Sequence, residues 1–98
     1  MGMKITLQKF GTTLLSRQAG KEAYAAFGPT LRTVPLTERV EVDFSGVLTF
    51  APSWGDEFLT PILKERGGQF VLLETNNPSV AATIEILEQA NDTKFKRG

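Results

Sequence analysis

Between Arg39 and Lys64 the chain changes from one hydrophobic period to another. Val40, Val42 and Phe44 alternate with Glu41, Asp43 and Ser45, the period-two pattern of a strand with at least one buried face. Gly46 interrupts it. From Ser53 onward the apolar residues Trp54, Phe58, Leu59, Ile62 and Leu63 fall at helical spacing. A helix is therefore expected to about Arg66, where Gly67-Gly68 supplies a left-handed stop. Pro61 lies inside that span and predicts a kink or a break into two pieces, because proline lacks the N–H and clashes with the preceding turn. Ser53 with Asp56 makes a Ser-x-x-Asp pattern: a serine to cap the helix and a carboxylate suited to its positive end.

The flanking segments read in the same terms. Met3, Ile5, Leu7 and, by register, Lys9 share one side of a first strand, with Lys4, Thr6 and Gln8 on the other side. Gly11 ends it. Thr12 or Thr13 can cap a helix from about Thr13 to Phe27, with Leu14, Leu15, Ala19, Ala23, Ala26 and Phe27 as its stripe and Gly28-Pro29 as its stop. Gly20 weakens that helix by about 1 kcal/mol relative to alanine, so it is either tolerated or used for close packing against the sheet. Gly28 to Glu38 reads as a surface connection with room for a short strand around Leu31 to Val34. Phe70 to Leu73 is a continuous apolar run, as in a strand covered on both faces.

Asn76-Asn77-Pro78-Ser79 is a turn into a third helix. Its buried stripe is Val80, Ile84 and Leu87, with Ala81 and Ile86 as further candidates and Glu85, Glu88 and Gln89 outside. Residues 90–98 lose periodicity, turn basic and read as a flexible tail. The order is β-α-β-α-β-α, which predicts one α/β domain over 1–98: a small two-layer sandwich with a narrow, mostly parallel or mixed sheet and right-handed crossovers.

Composition narrows the chemistry. Ninety-eight residues with 41% hydrophobic content can fill one core. Eleven basic and eleven acidic residues cancel, so no global field draws the chain to nucleic acid or an anionic membrane. Lys94, Lys96 and Arg97 around Phe95 form the one combination that single-stranded nucleic acid could use, and a solubilising tail accounts for it more simply. Cysteine is absent, which removes disulfide and thiolate chemistry and fits a reducing cytoplasm. Histidine is absent too, so neither a Ser-His-Asp site nor a His-based zinc site can be built from this chain. With no glycine-rich phosphate loop at a helix start, no metal cluster and no membrane-length apolar run, neither cofactor nor membrane is expected.

Asp43-Phe-Ser-Gly-Val-Leu-Thr-Phe50, followed by a serine at a helix start, resembles the core of STAS domains, the small α/β modules of anti-sigma-factor antagonists and sulfate-transporter tails. In that family the strand leads to Asp-Ser-Ser-Gly, where a partner kinase can phosphorylate a serine. Aligned on Asp43, this chain has Ala51 at the family aspartate, Pro52 and Ser53 at the two hydroxyl positions and Trp54 at the glycine. Gly11-Thr-Thr-Leu-Leu-Ser-Arg17 and Ser53-Trp-Gly-Asp-Glu57 are closer still to two helix starts of bacterial and phage STAS-like domains of unknown function. The likeness covers about Phe10 to Leu87. It implies a non-enzymatic signalling or regulatory module, in some cases found near histidine-kinase-like ATPases.

Five residues carry the candidate chemistry. Ser53 is either an N-cap or a phosphoacceptor at a helix N-terminus. Trp54 is either a core lid or an aromatic anchor at a protein interface. Asp56 and Glu57 point about 100° apart on a helix, so they suit the helix dipole better than a shared reacting atom. Arg17 can pair with Asp56 or Glu57, or else anchor an anion. The expectation is partner binding through Phe50 to Glu57 without catalysis. A Ser53 phosphorylation switch and a small anionic-ligand or nucleotide site at Arg17 are the alternatives. The exposed first strand also offers an edge for self-association.

Overall fold

A computed structural model of the chain describes residues 2–98. In it the strands are β1 (Met3–Thr6), β2 (Thr13–Leu14), β3 (Val40–Asp43), β4 (Thr49–Phe50), β5 (Phe70–Leu72) and β6 (Lys96–Arg97), with helices α1 (Arg17–Leu31), α2 (Pro52–Arg66) and α3 (Pro78–Asn91). The main sheet runs β1-β3-β5-β6, and β2-β4 forms a separate pair. All of these pairings are parallel. Parallel neighbours need a crossover, and α1, α2 and α3 supply one for each step across the main sheet. Successive crossovers of the same hand in one direction put the helices on a single face, with α2 packed between α1 and α3. The architecture is the expected α/β sandwich.

Register shows which residues face the helices. Met3, Val40 and Phe70 stand in one row and Ile5, Val42 and Leu72 in another. Ile5, Val40, Val42, Phe70 and Leu72 are all within 1% of complete burial. The opposite face carries Lys4, Glu41, Val71 and Lys96 in a row. Lys4 lies 3.6 Å from Asp43 there and Arg39 lies 2.9 Å from Glu41, so this face is largely ionic. Val71 is its buried exception, and the Gly98 backbone lies against it.

Several expected boundaries move, each for a tertiary reason. After Thr6 the chain turns through a short 3₁₀ segment, Leu7–Phe10, which keeps Leu7 buried and lifts Lys9 out of the strand register. Its ammonium lies 4.4 Å from the centre of the Phe27 ring. Thr13 and Leu14 are not helical, because they pair with Thr49 and Phe50. Ser16 caps α1 instead, its Oγ accepting from the Ala19 N–H at 3.0 Å. The helix also continues through Gly28-Pro29 to Leu31, and no strand forms over 31–34.

Arg66, at the far end of α2, explains how α1 ends. Its side chain is 1% exposed. Its Nη2 donates to the Leu31 and Val34 carbonyls and its Nη1 to that of Pro35. Orphan carbonyls at a helix end need such partners. Pro61 does not split α2, which is continuous over Pro52–Arg66; proline removes only the one bond that Glu57 would have accepted. Gly67 stops the helix where expected, but at φ 56° and ψ −126° it lies outside the left-handed helical region.

At the C-terminal end the expected loose tail is part of the sheet. Phe95 is 4% exposed and meets the Phe70 ring edge-on, while Lys96 and Arg97 pair with Val71 and Leu72. Glu88, expected on the outside of α3, is 6% exposed. Its carboxylate accepts from the Phe95 N–H at 2.8 Å and from Arg97 at 3.0 Å. A buried carboxylate needs such partners, and here they are the residues that close the sheet. Ala81 and Ile86 are exposed, leaving Val80, Thr83, Ile84 and Leu87 as the buried side of α3 with Glu88. No described helix is long and apolar enough to cross a membrane.

Candidate functional site

The strands β2 and β4 end side by side, and α1 and α2 begin directly after them. Thr49–Phe50 is short but firmly held. The Phe50 N–H donates to Ser79 Oγ at 3.0 Å, and Asn77 Nδ2 donates to the carbonyls of Val47 and Leu48. The start of α3 thus fixes the segment that delivers α2.

Packing between α1 and α2 sets the rest. A Cβ on Gly20 would lie 2.6 Å from the Trp54 carbonyl oxygen, closer than a side chain can approach, so glycine permits the backbones to touch. The partner of that close approach is α2, not the sheet. Arg17 sits three residues before Gly20, on the same side of α1. That contact carries its guanidinium over α2, where Nη1 lies 2.7 Å from Glu57 and 3.1 Å from Asp56. The predicted ion pair is present and double.

Asp56 and Glu57 therefore converge on one nitrogen despite being adjacent in sequence, because their side chains are long enough to bend to a cation placed between them. They also lie beyond the first turn of α2, which contains no acidic residue. Pairing with Arg17, not the helix dipole, accounts for them. The Arg17 guanidinium is held above its ordinary pKa by hydrogen bonding first to Glu57 and then to Asp56. Two carboxylates around one guanidinium leave the cluster with an excess negative charge, which disfavours an anion there.

Ser53 is not the N-cap. Ala51 holds that position, Pro52 is the first helical residue, and no side chain caps the helix. Pro52 is suited to that place because its N–H would be an orphan in any case. Ser53 is half-buried, and its hydroxyl makes no hydrogen bond among the described residues. Trp54 is 1% exposed and stacks on Phe58 with ring centres 5.0 Å apart. It is the core lid and not an exposed aromatic anchor.

What sequence reading missed is apolar. Leu48 is 68% exposed and Leu15 is 47% exposed. Leu48 comes just before β4 and Leu15 just after β2, so both flank the paired strands that lead into α2 and α1. Leu15 falls at the spacing of a helix stripe and so reads as core, and nothing in the local pattern marks the two-residue strands beside these leucines. At the end of β3, Asp43 accepts from the Ser45 N–H at 2.9 Å. Its carboxyl is held below its ordinary pKa by Ser45 first and by Lys4 to a lesser degree. No group of three or more His, Cys, Asp or Glu among the described residues is arranged to hold a metal ion.

No family model matches the chain, and no curated protein or solved structure matches it. The STAS-like likeness therefore rests on the motifs quoted above.

Proposed function

We propose that this chain is a non-enzymatic, STAS-like regulatory module that binds a protein partner through the end of the molecule where α2 begins. The observation that carries this reading is the polar cluster of Arg17, Asp56 and Glu57, already oriented across the starts of α1 and α2, with Leu48 and Leu15 exposed on the segments that lead into those helices. Exposed apolar groups rimmed by polar ones are what protein interfaces use. Ser53 belongs to the same surface through its half-exposed position on the first turn. The partner class implied by the resemblance is a histidine-kinase-like ATPase or a related signalling kinase, which would make the module cytoplasmic.

Affinity capture from the native host tests the reading, comparing wild type with a Leu48→Asp/Leu15→Asp/Asp56→Ala variant. Loss of a partner from the variant, with its helical circular dichroism unchanged, is the expected result. Identical partner sets would remove this surface from consideration. Trp54 is left intact because truncating it would damage the core.

A second reading is favoured by the uncommitted hydroxyl of Ser53: phosphorylation at that position by the partner. A phosphate there would meet the uncapped amides of α2. Incubation with candidate kinases and ATP, followed by mass spectrometry of the Ser53 peptide, decides it; an unmodified peptide throughout excludes the switch.

A further inference from the structure

The opposite end of α2 holds a second site of different chemistry. A cavity of about 330 Å³ lies between the end of α2, the end of α3 and β6, lined by Lys64, Lys94 and Lys96 together with Gly67, Gly68 and Asn91 among others. No carboxylate lines it, although acidic and basic residues are equal in number over the whole chain. We propose that this cavity binds a small phosphate ester.

Three observations carry the assignment. First, the lysines are available. The side chains of Lys64 and Lys96 form no ion pair or hydrogen bond among the described residues, and that of Lys94 has only a 4.0 Å approach to Glu88. Second, their grouping is not explained by helix ends. Lys64 lies in the last turn of α2, where it complements the dipole, but Lys94 and Lys96 lie beyond α3, the latter in β6. Lys94 and Lys96 both line the cavity, on either side of Phe95, which is anchored in the core. Third, the glycine turn leaves room: a Cβ on Gly67 or Gly68 would meet nothing within 4 Å.

The walls narrow the ligand class. Leu63 offers an apolar surface and Thr60, Asn91 and Thr93 offer polar groups. Asn91 Nδ2 donates to the Leu87 carbonyl at 2.8 Å and reaches Thr60 Oγ1 at 3.5 Å, while Thr60 Oγ1 donates to Asp56 at 3.0 Å. That wall is therefore fixed before any ligand arrives. A volume near 330 Å³ lies at the small end of ligand pockets, and ammonium groups suit a compact, doubly charged phosphate. Burial of Phe95 removes the only aromatic ring that a nucleic-acid base could have stacked on here. A small molecule is thus favoured over a single strand.

Amide NMR titration with inorganic phosphate, ribose 5-phosphate and AMP at matched ionic strength tests the site. Saturable shifts at Gly67, Gly68 and Thr93, with at least one ester binding more tightly than inorganic phosphate, are expected. Lys64→Gln/Lys96→Gln should weaken binding at least tenfold, while Lys21→Gln, which removes one charge from exposed α1 surface, should leave it unchanged. An absence of saturable shifts, an equal loss in Lys21→Gln, or shifts centred on Ser53 would each overturn the proposal. So would an RNA oligonucleotide that binds far more tightly than any monomer with a steep salt dependence. Because the partner surface lies at the other end of α2 and is tested by capture, failure of either proposal leaves the other intact.

Discussion

Two helices of this chain open on the same local theme, and only one of them is tied down. Asn77-Pro78-Ser79 begins α3 and Ala51-Pro52-Ser53 begins α2, with proline at the first helical position in both. At α3 the Asn77 Oδ1 accepts from the Ser79 and Val80 N–H groups. Asn77 Nδ2 and Ser79 Oγ reach across to the 47–50 segment. At α2 alanine offers nothing to cap with, and the serine hydroxyl is unused. The third residue after each N-cap is buried, Val80 at 0% and Trp54 at 1% exposure. Both starts therefore share an apolar anchor, and only α3 adds a polar cap, which leaves the Ser53 hydroxyl at α2 without a hydrogen bond among the described residues.

Trp54→Ala should cost about 3–5 kcal/mol, more than Val80→Ala, measured by denaturant unfolding; equal losses would mean that Trp54 is not the anchor. Asn77→Ala should cost about 1–2 kcal/mol through loss of the cap, together with faster amide exchange at Phe50, whose segment Asn77 holds.

Asp43 secures the turn on the strand side of α2, and Asp43→Ala should cost about 1 kcal/mol at neutral pH. Its sign with pH follows from the lowered pKa. The carboxylate's contribution is present above the ordinary value of 3.8 and is lost as pH falls below it through the folded-state pKa. The gap between wild type and Asp43→Ala should close in acid. If it persists there unchanged, the charged form is not what the Ser45 N–H prefers.

Supplying the missing cap sharpens the contrast in the other direction. Ala51 already has the extended backbone of an N-cap, at φ −100° and ψ 152°. Ala51→Asp should therefore gain about 0.5–1 kcal/mol. The smallest effect is expected at Ser53, where Ser53→Ala should change stability by less than about 0.5 kcal/mol. A larger loss by thermal unfolding would show that the hydroxyl serves the fold after all.

Local signals led to the right elements and, in places, to the wrong ends. Val40 to Phe44 and Phe70 to Leu72 were readable because burial in a strand follows a short period or an apolar run. Asn77 was readable as part of a turn. Ser53 was misread as a cap because Ser-x-x-Asp carries no record of Pro52 ahead of it fitting the first helical turn better. Thr13 and Leu14 were misread as helix because their strand pairing depends on Thr49 and Phe50, more than thirty residues away. The Arg17 pair was anticipated from charge, yet its convergence on both carboxylates required the close contact made at Gly20.

By itself the sequence determined the layer architecture, the core strands and the three helices, since periodicity reports which side of an element is withheld from water. It also determined the absence of histidine and cysteine chemistry. Only the tertiary structure decided the rest. It buried Trp54, left Leu48 and Leu15 exposed, folded Phe95 and its flanking lysines into the sheet edge, and gave Glu88 and Arg66 interior partners. Each of these depends on what packs against a residue from a distant part of the chain, and no local period encodes that.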